Sequence, residues 1–123
     1  MDLGYRKTIK KRENKSSFAI AVKNYTGVVV VDSVEYDSNK QSLTNCNLTL
    51  LQLSRELTPP VLWRASDNTM QEMTANKLNE LKEAIENDLF AVGTDFYSKK
   101  WNYEKAIDAC ATIEDVNNIK VVY

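Results

Sequence analysis

Residues 28–57 read VVVVDSVEYDSNKQSLTNCNLTLLQLSREL, and two different periodicities meet inside them. Val28–Val31 and Val34–Tyr36 are dense in β-branched side chains and are separated by Asp32-Ser33, so they read as strands joined at a tight turn. From Ser38 onward the pattern changes. Leu43, Cys46, Leu50, Leu53 and Leu57 recur at steps of three and four, which places them on one helical face. Ser38 and Gln41 have the spacing of a capping box at the start of that helix. Thr58-Pro59-Pro60 ends it, because proline cannot continue the hydrogen-bond ladder. A hairpin feeding directly into an amphipathic helix predicts an α+β fold.

The same contrast continues downstream. Val61–Ala65 reads as a strand, Asp67-Asn68 as a turn and Thr69–Met73 as the return strand. Thr74 is placed to cap the longest helix. Its apolar stripe is Leu78, Leu81, Ile85, Leu89, Val92 and Phe96, and the helical pattern continues through Trp101 and Ala106 toward Ala109. Gly93 interrupts it, at a cost of about 1 kcal/mol relative to alanine. Thr112 caps a last short helix in which Val116 and Ile119 fold back on the long one.

Upstream, Phe18, Ile20 and Val22 alternate with small or polar residues and predict a further strand, closed by the turn signal Asn24-Tyr25-Thr26-Gly27. Met1–Ser17 carries six Lys and Arg against two acidic residues, a net +4, so the remainder is −5. It shows no apolar stripe and is expected to be disordered alone, ordering on a neighbour. The expected organisation is a basic N-terminal arm over 1–17 and a single α+β domain over 18–123. That domain should hold a short antiparallel β-meander or hairpins, two amphipathic helices (one long) packed as a helical pair, and a short C-terminal helix. A bundle of the leucine stripes with copies of themselves is the alternative to the intramolecular pair.

Composition narrows the function classes. There are 123 residues, enough for one compact domain. There is no histidine, which removes serine–histidine and cysteine–histidine nucleophile pairs. Gly4, Gly27 and Gly93 are scattered and form no phosphate-cradling loop. Cys46 and Cys110 without histidine cannot supply an ordinary zinc site, and they read as small apolar residues. Glu80, Glu83 and Glu86 read as the solvated face of the long helix. Asp32, Glu35 and Asp37 lack the ligand number and spacing of a calcium loop. No enzymatic activity, metal or cofactor is expected, and no deep cleft. With no long apolar run and no signal-like stretch, the chain is expected to be made in a cytoplasm and not to enter a membrane.

The ordered set of motifs from Val31 to Ile119 resembles a small domain family of unknown function found in tail-fibre and tail-associated proteins of tailed phages and prophages. The residues that carry it are Val31-Asp32-Ser33-Val34-Glu35-Tyr36-Asp37-Ser38, the tryptophan strand and turn Val61–Thr69, the helix entry at Met73-Thr74, and the stretch Ala106–Ile119. Ser33 stands where a glycine is usual, and Gly93 and Phe96-Tyr97 depart from the pattern. Met1–Ser17 and Phe18–Val22 lie outside the resemblance, which supplies no activity and no catalytic or binding residue.

What the resemblance implies is a structural component of a tailed-phage particle, at the tail, baseplate or fibre-attachment region. Such a protein would be made in the host cytoplasm, held in the virion, and bound to other tail or baseplate proteins or to copies of itself. The residues expected to carry binding are Tyr5, Arg6, Lys7, Lys10, Lys11, Arg12 and Lys15 on the arm, with Tyr97, Trp101 and Tyr103 on the body. Trp63 is expected in the core. One alternative is a fibre-assembly chaperone that leaves before the particle is finished. Another is a nucleic-acid-binding accessory protein acting through the arm, against which the acidic body and the lack of a recognition motif argue.

Overall fold

The structure is a computed structural model and describes residues 2–56 and 58–123. Its elements are α1 (Leu3–Asn24), β1 (Gly27–Val31), β2 (Val34–Ser38), α2 (Lys40–Arg55), β3 (Val61–Arg64), β4 (Met70–Met73), α3 (Ala75–Ala109) and α4 (Ile113–Asn118). Helices and two small antiparallel hairpins make this an α+β fold, as the two periodicities predict. The chain forms two compact units: Thr26–Ala91, and Met1–Tyr25 together with Val92–Tyr123.

In Thr26–Ala91, β1 and β2 pair with Val31 opposite Val34. The two-residue turn puts both Asp32 (φ 50°) and Ser33 (φ 65°) in the left-handed region, the geometry that matches strand twist in a tight hairpin. Val29, Val31, Tyr36 and Ser38 point inward; Val28, Val30, Glu35 and Asp37 point outward.

The predicted capping box at Ser38 moves by one residue. Asn39 is the cap, its side-chain oxygen accepting from the Ser42 N–H at 2.7 Å. Ser38 is still paired with Gly27 in the hairpin, and its buried hydroxyl donates to Asp88 Oδ2 at 2.6 Å. A residue held in the ladder cannot also open the helix. Gln41 instead donates to Asn45 Oδ1.

The second hairpin pairs Arg64 with Met70. The Ala65 N–H donates to the Thr69 carbonyl at 2.8 Å, the Asn68 N–H donates to the Ala65 carbonyl at 2.9 Å, and Asn68 has φ 69°. This is a three-residue loop closed by a left-handed residue. The hairpins remain two separate two-stranded sheets, tied through Ser66, whose N–H donates to the Glu35 carbonyl and whose hydroxyl donates to Asp37 Oδ1.

The core of this unit is Val31, Tyr36, Cys46, Ala65, Met73, Leu78, Leu81 and Ile85, with Leu43, Leu50, Leu53, Trp63 and Leu89 packed against it. The leucine faces of α2 and α3 therefore meet in one cluster, and Trp63 belongs to it as expected. Leu57, assigned to the α2 stripe, lies outside the described residues. Thr74 caps α3 by accepting from the Lys77 N–H at 3.2 Å.

The other unit corrects two expectations. Leu3 to Ser17 of the expected arm is helical and Phe18–Val22 is not a strand: both belong to α1, and the expected boundary after Ser17 falls inside that helix, while Met1 lies outside the described residues. Asp2 caps it, accepting from the Tyr5 N–H at 2.7 Å. The less exposed positions of α1 include Leu3, Arg6, Lys7, Lys10, Asn14, Ser17, Phe18, Ala21 and Val22, a stripe at helical spacing that ends at the capping residue Tyr25. Half of that stripe is polar, so hydropathy does not reveal it.

The polar residues of the stripe bond to the C-terminal segment. Lys7 Nζ donates to the Asp108 carbonyl at 2.8 Å, and Lys10 Nζ to the Ile119 carbonyl at 3.1 Å. These carbonyls lie at the C-terminal ends of α3 and α4, where backbone acceptors lack intrahelical partners and cations are favoured. Lys11 pairs with the Asp108 carboxylate, and Arg6 Nε donates to Asn117 Oδ1. Asn14, fully buried, donates to the Lys100 carbonyl at 3.1 Å and accepts from the Tyr123 hydroxyl. Ile107 and Val116 are the buried apolar side chains of this unit, and Thr112 caps α4 through the Asp115 N–H at 3.1 Å.

Candidate functional site

The residues expected to bind partners divide into two groups. Arg6, Lys7, Lys10 and Lys11 hold the chain's own C-terminal segment, and Lys10 also pairs with Glu13 at 3.1 Å. Arg12 and Lys15 are exposed and have no hydrogen bond or ion pair among the described residues; Tyr5 is also exposed. Tyr103 is half-buried: its hydroxyl donates to the Val122 carbonyl at 2.9 Å and accepts from the Val122 N–H at 3.0 Å, while its ring packs on Tyr123. It works as a clasp on the last residues.

Tyr97 and Trp101 remain outside. They are 49% and 57% exposed, one helical turn apart on α3, with ring centres 5.9 Å from each other. Phe18 of α1 backs them, its ring 4.9 Å from Tyr97. Lys100 Nζ lies 4.9 Å from the Phe18 ring centre, a cation–π placement. Lys15 stands one helical turn before Phe18, and Lys105 one turn after Trp101, against Glu104 on the acidic side. The result is a ledge of three aromatic rings with the Lys100 ammonium against it. The unit that bears it has eleven Lys and Arg against seven Asp and Glu, a net +4.

Thr26–Ala91 carries five Lys and Arg against ten Asp and Glu, a net −5. The outward face of its first hairpin sets Val28 opposite Asp37 and Val30 opposite Glu35, all four exposed. Those valines were read only as strand formers. The signal that could have found this face is the two-residue turn, which fixes the register and so which valines share a side with carboxylates. The Asp37 carboxylate also accepts from Ser66 Oγ at 3.0 Å. Behind it lies an open groove of about 400 Å³ between β3 and α2, lined among others by Asn45, Leu48, Leu62, Trp63 and Arg64.

Of the carboxylates weighed as ligands, Asp32 pairs with Lys77 at 3.4 Å, and Glu80, Glu83 and Glu86 are exposed. Among the described residues no group of three or more His, Cys, Asp or Glu side chains is placed to hold a metal ion, and no helix is long and apolar enough to cross a membrane. Both cysteines are free. Cys46 is buried, which pushes its thiol up to about 11 against the opposing pull of Lys82. Cys110 is half-buried and its Sγ donates to the Ala106 carbonyl.

Residues 9–121 match the family described as Domain of unknown function (DUF4376), and the chain belongs to that family. The match begins inside α1, well before Val31, so Phe18–Val22 and much of the basic segment are family features rather than additions to it. No curated protein matches the chain, and no solved structure does.

Proposed function

We propose that the chain is a structural component of a tailed-phage particle, at the tail, baseplate or fibre-attachment region, and that it acts by binding other protein subunits. The observation that carries the binding part is the ledge of Tyr97 and Trp101. Large aromatic rings left half in water beside cations have the composition of protein-interface anchors, where a few such residues supply most of the affinity. The phage setting rests on the likeness of the ordered motifs from Val31 to Ile119 to tail-associated proteins.

The basic segment adds less to this reading than its charge implies. Arg6, Lys7, Lys10 and Lys11 are engaged within the chain, which leaves Arg12 and Lys15 as the cations of this segment without a partner among the described residues. That also weakens the nucleic-acid alternative, which needs several free cations along one surface.

Mass spectrometry of purified particles from a producing host tests the proposal. A stoichiometric presence supports it, and loss of incorporation in a Tyr97→Ala/Trp101→Ala double variant assigns the contact. Presence on immature fibres but not in finished particles would move the assignment to an assembly chaperone. Retention on DNA with a steep salt dependence would move it to nucleic acid.

A further inference from the structure

We infer that copies of this chain associate head to tail, the outward face of the β1–β2 hairpin of one copy seating on the Tyr97–Trp101 ledge of the next. This rests on the reading that the chain works by binding protein, and it names the partner as a second copy of itself.

The argument is that both halves of one complementary contact stand on the same polypeptide. The hairpin face offers two exposed valines, Val28 at 52% and Val30 at 61%, each directly opposite a carboxylate, Asp37 and Glu35. The ledge offers Tyr97 and Trp101 with Lys100 Nζ 6.0 Å from the Tyr97 ring centre, and Lys105 next to Glu104 one helical turn beyond Trp101. Apolar groups face apolar groups and carboxylates face ammonium groups when the two surfaces meet. The units that bear them carry −5 and +4, so the longer-range field favours the same encounter and opposes contact between two like units. A like-with-like dimer would set carboxylate against carboxylate or cation against cation. The contact is therefore heterologous: every copy gives one surface and receives on the other, and association propagates until a ring closes or the ends remain free.

Light scattering on the full chain after size exclusion, across concentration and at low and high salt, reads this directly. The expected result is a mass above one chain that grows with concentration and falls back as salt screens the charges. Trp101→Glu and Val30→Lys each spoil one surface at an exposed side chain, so each variant should fold, as circular dichroism will show, and run as one chain. Mixed in equal amounts, the intact hairpin face of the first can still seat on the intact ledge of the second. The mass should then roughly double and stop there, because the outer surfaces of the pair are the spoiled ones.

A chain that stays monomeric at high concentration and low salt overturns the inference, as does a mixture that remains monomeric or variants that assemble as well as the parent. Glu35→Lys offers a second, charge-only probe of the hairpin face should Val30→Lys disturb it. A monomeric parent that is still found in purified particles would sink self-association while leaving the proposed function standing.

Discussion

Thr26–Ala91 surrounds a cluster of apolar side chains, among them Leu78, Leu81 and Ile85, that are fully removed from solvent. Met1–Tyr25 with Val92–Tyr123 instead buries Lys10 and Asn14 beside Ile107 and Val116, and finishes with Tyr103 clasping the Val122 backbone and Tyr123 bonded to the Asn14 side chain. One unit is held by area taken from water, which is non-directional and tolerant of shape. The other is held by polar groups that each need a particular partner, and a lost partner leaves a buried group unsatisfied. Truncation should therefore act differently in the two. In the first, it opens a cavity and costs in proportion to volume. In the second, it costs whatever the abandoned groups lose.

The largest effect is expected in the apolar unit. Leu81→Ala removes a fully buried side chain from the centre of the cluster, and should cost about 2–5 kcal/mol in denaturant unfolding. Protection of amides in Thr26–Ala91 against hydrogen exchange should fall with it. A loss well under this range would mean that the cluster collapses around the gap.

Asn14→Ala probes the polar unit and should cost less. It strands the Tyr123 hydroxyl and removes a donor from the Lys100 carbonyl, for about 1–3 kcal/mol. Asn14→Leu sharpens the comparison, since it keeps volume and loses only hydrogen bonds. If leucine at this position stabilises, the unit is held by packing after all, and the contrast drawn here fails.

How much of each unit can be read from sequence follows from the same chemistry. Leucines at steps of three and four, a threonine cap and a two-residue turn are local signals, and they placed α2, α3, α4 and both hairpins. α1 was missed because its inward stripe begins Arg6, Lys7, Lys10 and Asn14. Lys7 and Lys10 face inward because carbonyls near residue 108 and residue 119 meet them, across a separation of about a hundred positions, and Asn14 because the Lys100 carbonyl and the Tyr123 hydroxyl do. A sequence shows that a lysine is charged; it does not show that a helix end far along the chain lacks a partner. Phe18, Ile20 and Val22 misled for a related reason, since alternation over five residues is shorter than the helix that contains them. At the surface, Tyr97 and Trp101 were identified by residue type, whereas Val28 and Val30 needed the register to distinguish them from their inward neighbours.

A polar defect also sits inside the apolar unit. Tyr36 is almost wholly buried, and its hydroxyl has no hydrogen-bond partner among the described residues. Burial raises the phenol above its ordinary range, with Asp32 adding to the shift and Lys77 opposing it. Burial likewise carries Cys46 from 9.0 to about 11. An acid whose pKa rises on folding holds its proton more tightly when folded, so stability is full below the unfolded value and falls as pH climbs past it. Unfolding free energy should therefore decline from about pH 9 upward, where Cys46 and then Tyr36 begin to titrate in the unfolded chain. Tyr36→Phe removes the unpaired hydroxyl at constant shape. It should be neutral or stabilising by about 1 kcal/mol at neutral pH, and should flatten the alkaline decline. A clear destabilisation would mean that the hydroxyl has a bound water and that the unit is more polar than its side chains indicate.

The smallest expected effect lies at Gly93, an interior position of α3 in the part that belongs to the polar unit. Glycine there exposes backbone and loses the most conformational freedom on folding. A β-carbon added to Gly93 meets no atom within 4 Å, so no close approach requires its absence. Gly93→Ala should therefore raise the unfolding free energy by about 0.5–1 kcal/mol, read in the same denaturant titration. That gain should appear with Asn14 intact and persist in the Asn14→Ala background, because the two act through different terms: one through backbone entropy, the other through buried hydrogen bonds. If alanine at 93 instead costs stability, α3 must bend or yield at this residue. The polar unit would then depend on a helix that is not straight, in addition to the partners that Lys10 and Asn14 find on it and on α4.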